Sequence, residues 1–251
     1  MEKISVLVIG ENCTDKFIYG DVNRLCPEAP VPVLNPKKVK KNPGMAGNVV
    51  ENLKALNNSL DITFLHQKEK IVKTRYVDEK SNQMIIRVDE GEDLIERFEM
   101  TDDVIEKIKE SDIVIISDYN KGFLSTETIT LIGHHAKLSI LDSKRKLTNE
   151  IIEGFTFVKL NESERINNPE LTCDNIITTL GKLGAEYQNE VYESPNPQDT
   201  IDVSGAGDTF TASFIVKYYQ LKDERAAIKF ANRMAAEVVS KRGVAVPTER
   251  I

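Results

Sequence analysis

Residues Asp199 to Phe210 read DTIDVSGAGDTF and run directly into the apolar stretch TASFIVKYYQ. Gly205 and Gly207 bracket a single alanine, Ala206, and Asp208 follows at once. A glycine turn that enters an apolar helix leaves backbone N–H groups without intrahelical partners, and the helix dipole favours negative charge at that end. The stretch reads as an anion cradle. With its carboxylate at the lip, Asp208 can take a proton from a hydroxyl as that hydroxyl attacks a phosphoryl group held on the amides of Ala206, Gly207 and Asp208. An ordinary first-turn acid, favoured by about 0.3 to 1 kcal/mol through the dipole, is the plain alternative. The glycines on either side of Ala206 favour the catalytic reading.

Around this stretch, helix and strand patterns alternate. Ser5 to Ile9 is a compact β-branched and leucine run, the composition of a buried strand. From Thr101 onward, Asp102 to Lys109 is helical, Ile113 to Ile116 a buried strand, Thr126 to Ala136 helical and Ser139 to Leu141 a strand ending at Asp142. The alternation continues through Phe155 to Lys159 and Asn175 to Thr178, then through the helices Ala206 to Gln220 and Glu224 to Lys241. Strands separated by helices of this length imply an α/β fold, a mostly parallel sheet with helices on both faces. One domain over 1–251 is the expected organisation.

The segment Phe17 to Leu34 departs from that pattern. Prolines at 27, 30 and 32 exclude a helix and permit only exposed or edge strands. With Ile71 to Val77 and Gln83 to Val88, which read as strands joined by a turn, it forms a small β-flap lid around 17–34 and 71–88. Pro43 to Asn57 is expected to be a helix entered through a tight loop, and Ile62 to Leu65 a strand.

The chain of 251 residues carries a net charge of −7, which argues against nucleic acid as main partner because such binding needs a basic stripe. No apolar run approaches the roughly 18 to 20 residues that span a bilayer, so no membrane partner is expected. MEKISVLVIG reads as a first strand without a signal-peptide cleavage site, and the expected location is cytoplasmic. Cys13, Cys26 and Cys173 are odd in number and widely spaced, which fits neither a disulfide framework nor a zinc site.

Taken together, DVSGAGDTF, PGMAGNV at Pro43 to Val49, SDYNKG at Ser117 to Gly122, LDSK at Leu141 to Lys144, NESE at Asn161 to Glu164 and TLGKLG at Thr179 to Gly184 resemble the ribokinase, or PfkB, family of carbohydrate kinases, in family order and over essentially the whole chain. The narrower likeness, carried by RLCPEAPVPVL, DYNKG and SNQMIIRVD, is to the D-glycero-D-manno-heptose 7-phosphate kinases of that family. The resemblance implies a ribokinase-like fold and transfer of a phosphoryl group from ATP, with Mg²⁺, to a sugar or sugar-phosphate hydroxyl, in first place the anomeric hydroxyl of that heptose. Fructose 6-phosphate or ribose are alternative acceptors, and a catalytically weak sugar- or nucleotide-binding sensor is the alternative from another class. No HxGH string is present, so a nucleotidyltransferase half is not expected. The lid is also a candidate surface for a homodimer.

Two departures stand out. Met45 follows Gly44 where the family pairs glycines, and between Leu65 and Ile71 the chain falls short of the family pattern by about 40 residues, the size of a crossover unit.

The resemblance also assigns roles. Asn161 and Glu164 match the motif whose acid organises Mg²⁺; an asparagine helix cap followed by a surface glutamate is the plain alternative. Thr179, Gly181 and Gly184 would pass the nucleotide phosphates, or form a simple β-turn. Lys144 would meet a phosphate, and Asn232 lies on a helix resembling the adenine-side wall, though amphipathic packing explains its spacing equally well. For the acceptor, Asp15, Gly44 and Asn48 match the sugar-binding positions. Lys73, Arg75, Arg87 and Lys121 are candidates for a phosphate already on the sugar. Asp118 would orient the pocket, or cap the turn that follows it.

Overall fold

The computed structural model describes residues 3–195, 205–241 and 245–250; Asp199 to Ser204 of the opening stretch lie outside the described residues. The first strand, β1 (Ser5–Gly10), shows why the sheet is covered on both sides. Val6 and Val8 join one buried apolar cluster, and Leu7 and Ile9 join another. Successive side chains of a strand point to opposite faces, so a strand buried on both needs an unbroken apolar run.

β1 lies between β4 (Asp61–Leu65) and β7 (Ile113–Asp118), parallel to both. The parallel order continues through β8 (Ser139–Ser143), β9 (Phe157–Asn161) and β10 (Ile176–Thr179). An antiparallel hairpin, β11 (Gly184–Tyr187) and β12 (Glu190–Glu193), completes an eight-stranded sheet. This hairpin is absent from the sequence-based expectation. Its strands are short, and its two-residue turn, Gln188 and Asn189 at φ 51° and 61°, adopts a primed-turn conformation without the glycine that usually announces one.

On one face lie α1 (Ala46–Leu56), α6 (Ala206–Leu221) and α7 (Glu224–Val239), contributing Leu53, Phe214 and Phe230 to the core. The opposite face is covered by α2 (Asp102–Glu110), α3 (Thr126–His135) and α4 (Asn149–Ile152) through Ile108, Ile129 and Ile152. Phe157 of β9 meets the rings of Phe214 and Tyr218 edge-on, with centroids 4.8 and 4.7 Å away. Aromatic pairs favour this geometry, and here it fixes α6 over the middle of the sheet. A short helix, α5 (Glu162–Asn167), starts where β9 ends.

A second sheet, ordered β3-β2-β5-β6, forms the lid: β2 (Asn12–Leu25), β3 (Pro32–Met45), β5 (Ile71–Asp78) and β6 (Met84–Glu90). Its first hairpin is longer than the sequence predicts. The helix expected from Pro43 begins instead at Ala46, and Pro43 to Met45 finish β3. A proline is tolerated on an edge strand, and Met45, at φ 53° and ψ −138°, holds a conformation that L side chains rarely adopt. The buried thioether packs with Cys13 and Ile71, and this contact offsets part of the strain.

Residues 66–70 alone carry the chain from β4 into the lid. Gln67, buried in this link, accepts the N–H of Asn12 at 2.9 Å and donates to the Asn12 carbonyl at 2.6 Å. Its carboxamide thus pairs with the first lid residue as a neighbouring strand would. Among the described residues no helix is long and apolar enough to cross a membrane.

Candidate active site

Gly205 caps α6 at φ 83°, a left-handed conformation that glycine adopts without penalty. Intrahelical bonding starts with the Thr209 N–H to the Gly205 carbonyl, 3.0 Å, so the amides of Ala206, Gly207 and Asp208 precede the helical ladder. These residues line a cavity of about 630 Å³. Asn161, Thr179, Gly181, Gly184, Lys144 and Asn232 line the same cavity, so residues far apart in sequence converge there. Glu164 reaches it through Lys144, whose ammonium donates to the carboxylate.

Asp208 is 7% exposed. Its Oδ2 accepts from Asn48 Nδ2 at 2.8 Å, and its Oδ1 from the Tyr119 hydroxyl at 3.1 Å. Burial pushes the carboxyl up to about 6; the Asn48 hydrogen bond opposes this, Asp142 adds to it, and Lys159 and Tyr119 oppose it. A carboxylate raised to that range is suited to general-base work near neutral pH.

Behind the cradle lies a charge cluster with two acids and two bases. Lys159, 2% exposed on β9, holds Asp142 Oδ2 at 2.8 Å, and Thr211 of α6 donates to the same oxygen at 3.1 Å. Lys144 lies 3.7 Å from Asp142 Oδ1 and also pairs with Glu164. Burial alone would raise Asp142, but Lys159 and Lys144 outweigh it and keep the acid below its ordinary value. Gly207 fits against this cluster because a Cβ there would lie 2.9 Å from Lys159 Nζ. Asn161 and Glu164 form a full capping box on α5, so the cap expected as the plain alternative is present, and the same carboxylate still reaches Lys144.

Among the described residues no cluster of three or more metal-ligating side chains occurs. Asp142 Oδ1 is buried in the cavity wall without a hydrogen-bond partner among the described residues, and Glu164 lies across Lys144 from it. Oxygen donors of this kind fit Mg²⁺, which takes one or two carboxylates together with substrate phosphates.

The residues expected on the acceptor side sit mostly on the lid. Arg75 donates to Asp15, and Gly44 lies opposite, where a Cβ would meet Asp15 Oδ2 at 2.2 Å. Lys73 and Lys121 converge on one carboxylate, Glu92, at 3.1 and 2.6 Å. Cys13 sits among these groups: burial pushes its thiol up to about 12, Asp15 adds to that, Lys73 and Arg75 oppose it, and Asp208 adds again. Asp15, Lys73, Arg75 and Asp208 therefore share one neighbourhood.

Two residues expected at the substrate are already paired with other side chains. Asp118 is fully engaged by Arg145, whose Nε and Nη2 donate at 2.6 and 2.9 Å, and it caps the Asn120 N–H at 3.1 Å. Arg87 is exposed on β6 and makes a two-point pair with Asp89. Asn232 spends its amide on the Tyr192 carbonyl at 2.6 Å. Sequence reasoning missed Tyr119, Asp142, Lys159 and Glu92. A lysine inside the otherwise apolar FVKL was the available signal for Lys159, since lysine is rarely fully buried unless paired.

The fold is ribokinase-like. It matches Arabidopsis thaliana ribokinase, solved with ribose and ATP, at a TM-score of 0.70 and 16% identity, covering 99% of this chain and 97% of that one. Phosphofructokinase-2 from Escherichia coli, solved with potassium, matches at 0.71 and 16%, covering 99% and 96%. That fold defines the class, α/β proteins of ribokinase-like architecture. The chain belongs to the pfkB family of carbohydrate kinases, whose family model matches residues 44–251.

Among curated relatives, the bifunctional protein HldE of a Nitratiruptor species is 32% identical over 295 residues, covering 98% of this chain and 63% of the relative. The bifunctional protein HldE of Helicobacter pylori is 33% identical over 297 residues, with 96% and 64% covered. The chain thus spans less than two thirds of these relatives' length. Both alignments are longer than the 251-residue chain itself, so the relatives carry residues within the aligned region that this chain lacks.

Proposed function

We propose that the protein transfers the γ-phosphoryl group of ATP to a sugar or sugar-phosphate hydroxyl, with the anomeric hydroxyl of D-glycero-D-manno-heptose 7-phosphate as first-choice acceptor. The observation that carries this reading is the buried Asp208 carboxylate beside the free amides of α6. Asp208 accepts the acceptor's proton as the hydroxyl attacks, and the amides of Ala206, Gly207 and Asp208 take the charge that develops on the phosphoryl oxygens. Lys144 and Lys159 add positive charge beside the cradle, and Asn48 holds the base in place. Glu164 and Asp142 would hold Mg²⁺, which supplies charge neutralisation at the phosphates.

On the acceptor side, Asp15 and Asn48 receive sugar hydroxyls, and Lys73, Arg75 and Lys121 meet an anionic end. The heptose assignment rests on the likeness of RLCPEAPVPVL, DYNKG and SNQMIIRVD, and the similarity to HldE proteins supports it. The lid supports assembly as a homodimer of a single kinase domain: Val39, Met84 and Ile86 are more than half exposed on its strands, and exposed apolar surface favours association. A cytoplasmic location is consistent with this chemistry.

A coupled ADP-release assay over a panel of sugars and sugar phosphates tests the reading. Turnover is expected with heptose 7-phosphate and is expected to be lost in Asp208→Asn with acceptor binding retained. Acceptor binding without turnover on any member of the panel would leave a sensor as the better description.

A further inference from the structure

We propose that Tyr119 is a positioning residue for the base Asp208, and that the buried acid Glu11 holds it there. The inference rests on the reading of Asp208 as base and extends it to two residues, Tyr119 within the DYNKG run and Glu11 after the first strand, to which the sequence reading gave no role. The Tyr119 hydroxyl donates to Asp208 Oδ1 at 3.1 Å while Asn48 donates to Oδ2 at 2.8 Å. A carboxylate offers about four lone-pair sites; the two donors fix its plane and leave acceptor capacity for an incoming hydroxyl.

Glu11 follows β1 and is fully buried. Its Oε2 accepts the Tyr119 N–H at 2.8 Å and its Oε1 the Lys121 N–H at 2.9 Å. Its own carbonyl accepts the Ala46 N–H, the first residue of α1, at 2.9 Å. One residue therefore ties the loop that carries Tyr119 to the helix that carries Asn48. Between its two anchored amides, Asn120 adopts φ 55°, a left-handed turn that asparagine tolerates, and the Asp118 and Arg145 pair fixes the start of the loop. An uncompensated buried carboxylate is costly. Here two backbone N–H groups compensate it, and a glutamine could accept only one of them.

The charged and titratable groups facing Asp208 come from every element around it: Cys13 from β2, Tyr119 from the loop after β7, Asp142 of β8 with Lys144 beyond it, and Lys159 of β9. Tyr119→Phe leaves all the others in place. It removes only the phenol, whose hydrogen bond favours the ionised base.

Carbon-13 NMR of the Asp208 side-chain carboxyl, in the protein without substrates, reads the contact directly. Tyr119→Phe is expected to move its titration upward by about half a unit or more, and Glu11→Gln to reproduce the shift; Glu11→Asp replaces the glutamine variant should that fail to fold. The acid limb of kcat/KM for the acceptor should move the same way, with kcat falling several-fold. An unmoved carboxyl in Tyr119→Phe, a shift that the Glu11 variants do not share, or a kcat that rises because the phenol competes with the acceptor would each overturn the proposal. Since the NMR readout needs no turnover, a shifted carboxyl in a protein that phosphorylates nothing would sink the kinase reading while leaving this contact standing.

Discussion

Asn48 Nδ2 donates to Asp208 Oδ2 across 2.8 Å, joining side chains 160 positions apart in sequence. The contact is part of a seam between α1 and α6. Asn52 donates to the Asn48 carbonyl at 2.7 Å, and the Thr209 hydroxyl donates to Asn52 Oδ1 at 2.7 Å. The two helices thus hold the Asp208 carboxylate through buried polar groups. Asn48→Ala removes one of the two donors on the carboxylate, at a cost of about 1 to 3 kcal/mol. Thermal denaturation should show that loss, and the acid limb of kcat/KM should rise in pH. An acid limb that stays in place would mean that Asn48 does not support the ionised base.

The Asp208 carboxylate itself is expected to destabilise the protein at neutral pH. Its folded pKa, about 6, lies above the ordinary value of 3.8, so the folded state binds the proton more tightly than the unfolded chain. At pH below both values the two states are equally protonated and there is no penalty. The penalty grows as pH rises through that interval and is complete above about 6, at roughly 3 kcal/mol for a shift of this size. Asp208→Asn should therefore raise the melting temperature at pH 7.5 and lose that advantage below pH 4. Equal stabilities at both pH values would remove the link between burial and basicity.

Gly207 lies in the cradle against a buried ammonium. A methyl group there would lie 2.9 Å from Lys159 Nζ, and Lys159 is held by Asp142 at 2.8 Å. Gly207→Ala is expected to push the ammonium from its partner, costing about 1 to 3 kcal/mol, and to weaken ATP binding in isothermal titration calorimetry. Wild-type affinity in this variant would show that the cluster behind the amides does not shape the phosphate site.

Asp118 shows how a motif can be read correctly as important while its role stays hidden. DYNKG announces a tight polar turn after an apolar strand, but nothing in its spacing reveals that Arg145, from another loop, takes the carboxylate in a two-point grip. Removing one partner of a buried ion pair costs about 3 to 5 kcal/mol. Asp118→Ala should lower stability by that order in urea denaturation. A variant of normal stability whose acceptor KM rises tenfold would restore Asp118 to the sugar.

The same distinction separates what was legible in the chain from what was not. The parallel sheet could be read because both faces of β1, β7 and β8 demand apolar residues, which leaves unbroken runs such as SVLVIG. The cradle could be read because Gly205, Ala206, Gly207 and Asp208 are consecutive. Asp142, Lys159 and Glu92 act through partners remote in sequence, and a lone charged residue carries no local mark of its partner. Helix α1 starts later than Pro43 because β3 is an edge strand and can hold a proline, a fact that follows from sheet order and not from local sequence.

On the proposed acceptor side, Glu92 sets how the two lysines meet charge. Its carboxylate gathers Lys73 at 3.1 Å and Lys121 at 2.6 Å. Burial would raise Glu92, but Lys121 and Lys73 outweigh it and keep the acid below its ordinary value. A phosphate on the incoming sugar must therefore share or displace this carboxylate to reach the two ammonium groups, whereas a neutral sugar need not. Glu92→Gln removes the negative charge while keeping the side chain's size. For phosphorylated acceptors, KM should fall roughly tenfold, the Coulomb effect of removing one charge a few ångströms away at the protein surface. The gain should shrink as salt screens the lysines. For ribose or another neutral sugar, KM should stay level. Steady-state kinetics with matched phosphorylated and unphosphorylated acceptors at two ionic strengths measures the difference. If both KM values move together, Lys73 and Lys121 do not read a substrate phosphate and the acceptor need not carry one; if only the phosphorylated acceptor gains, the two lysines define the anionic end of the pocket.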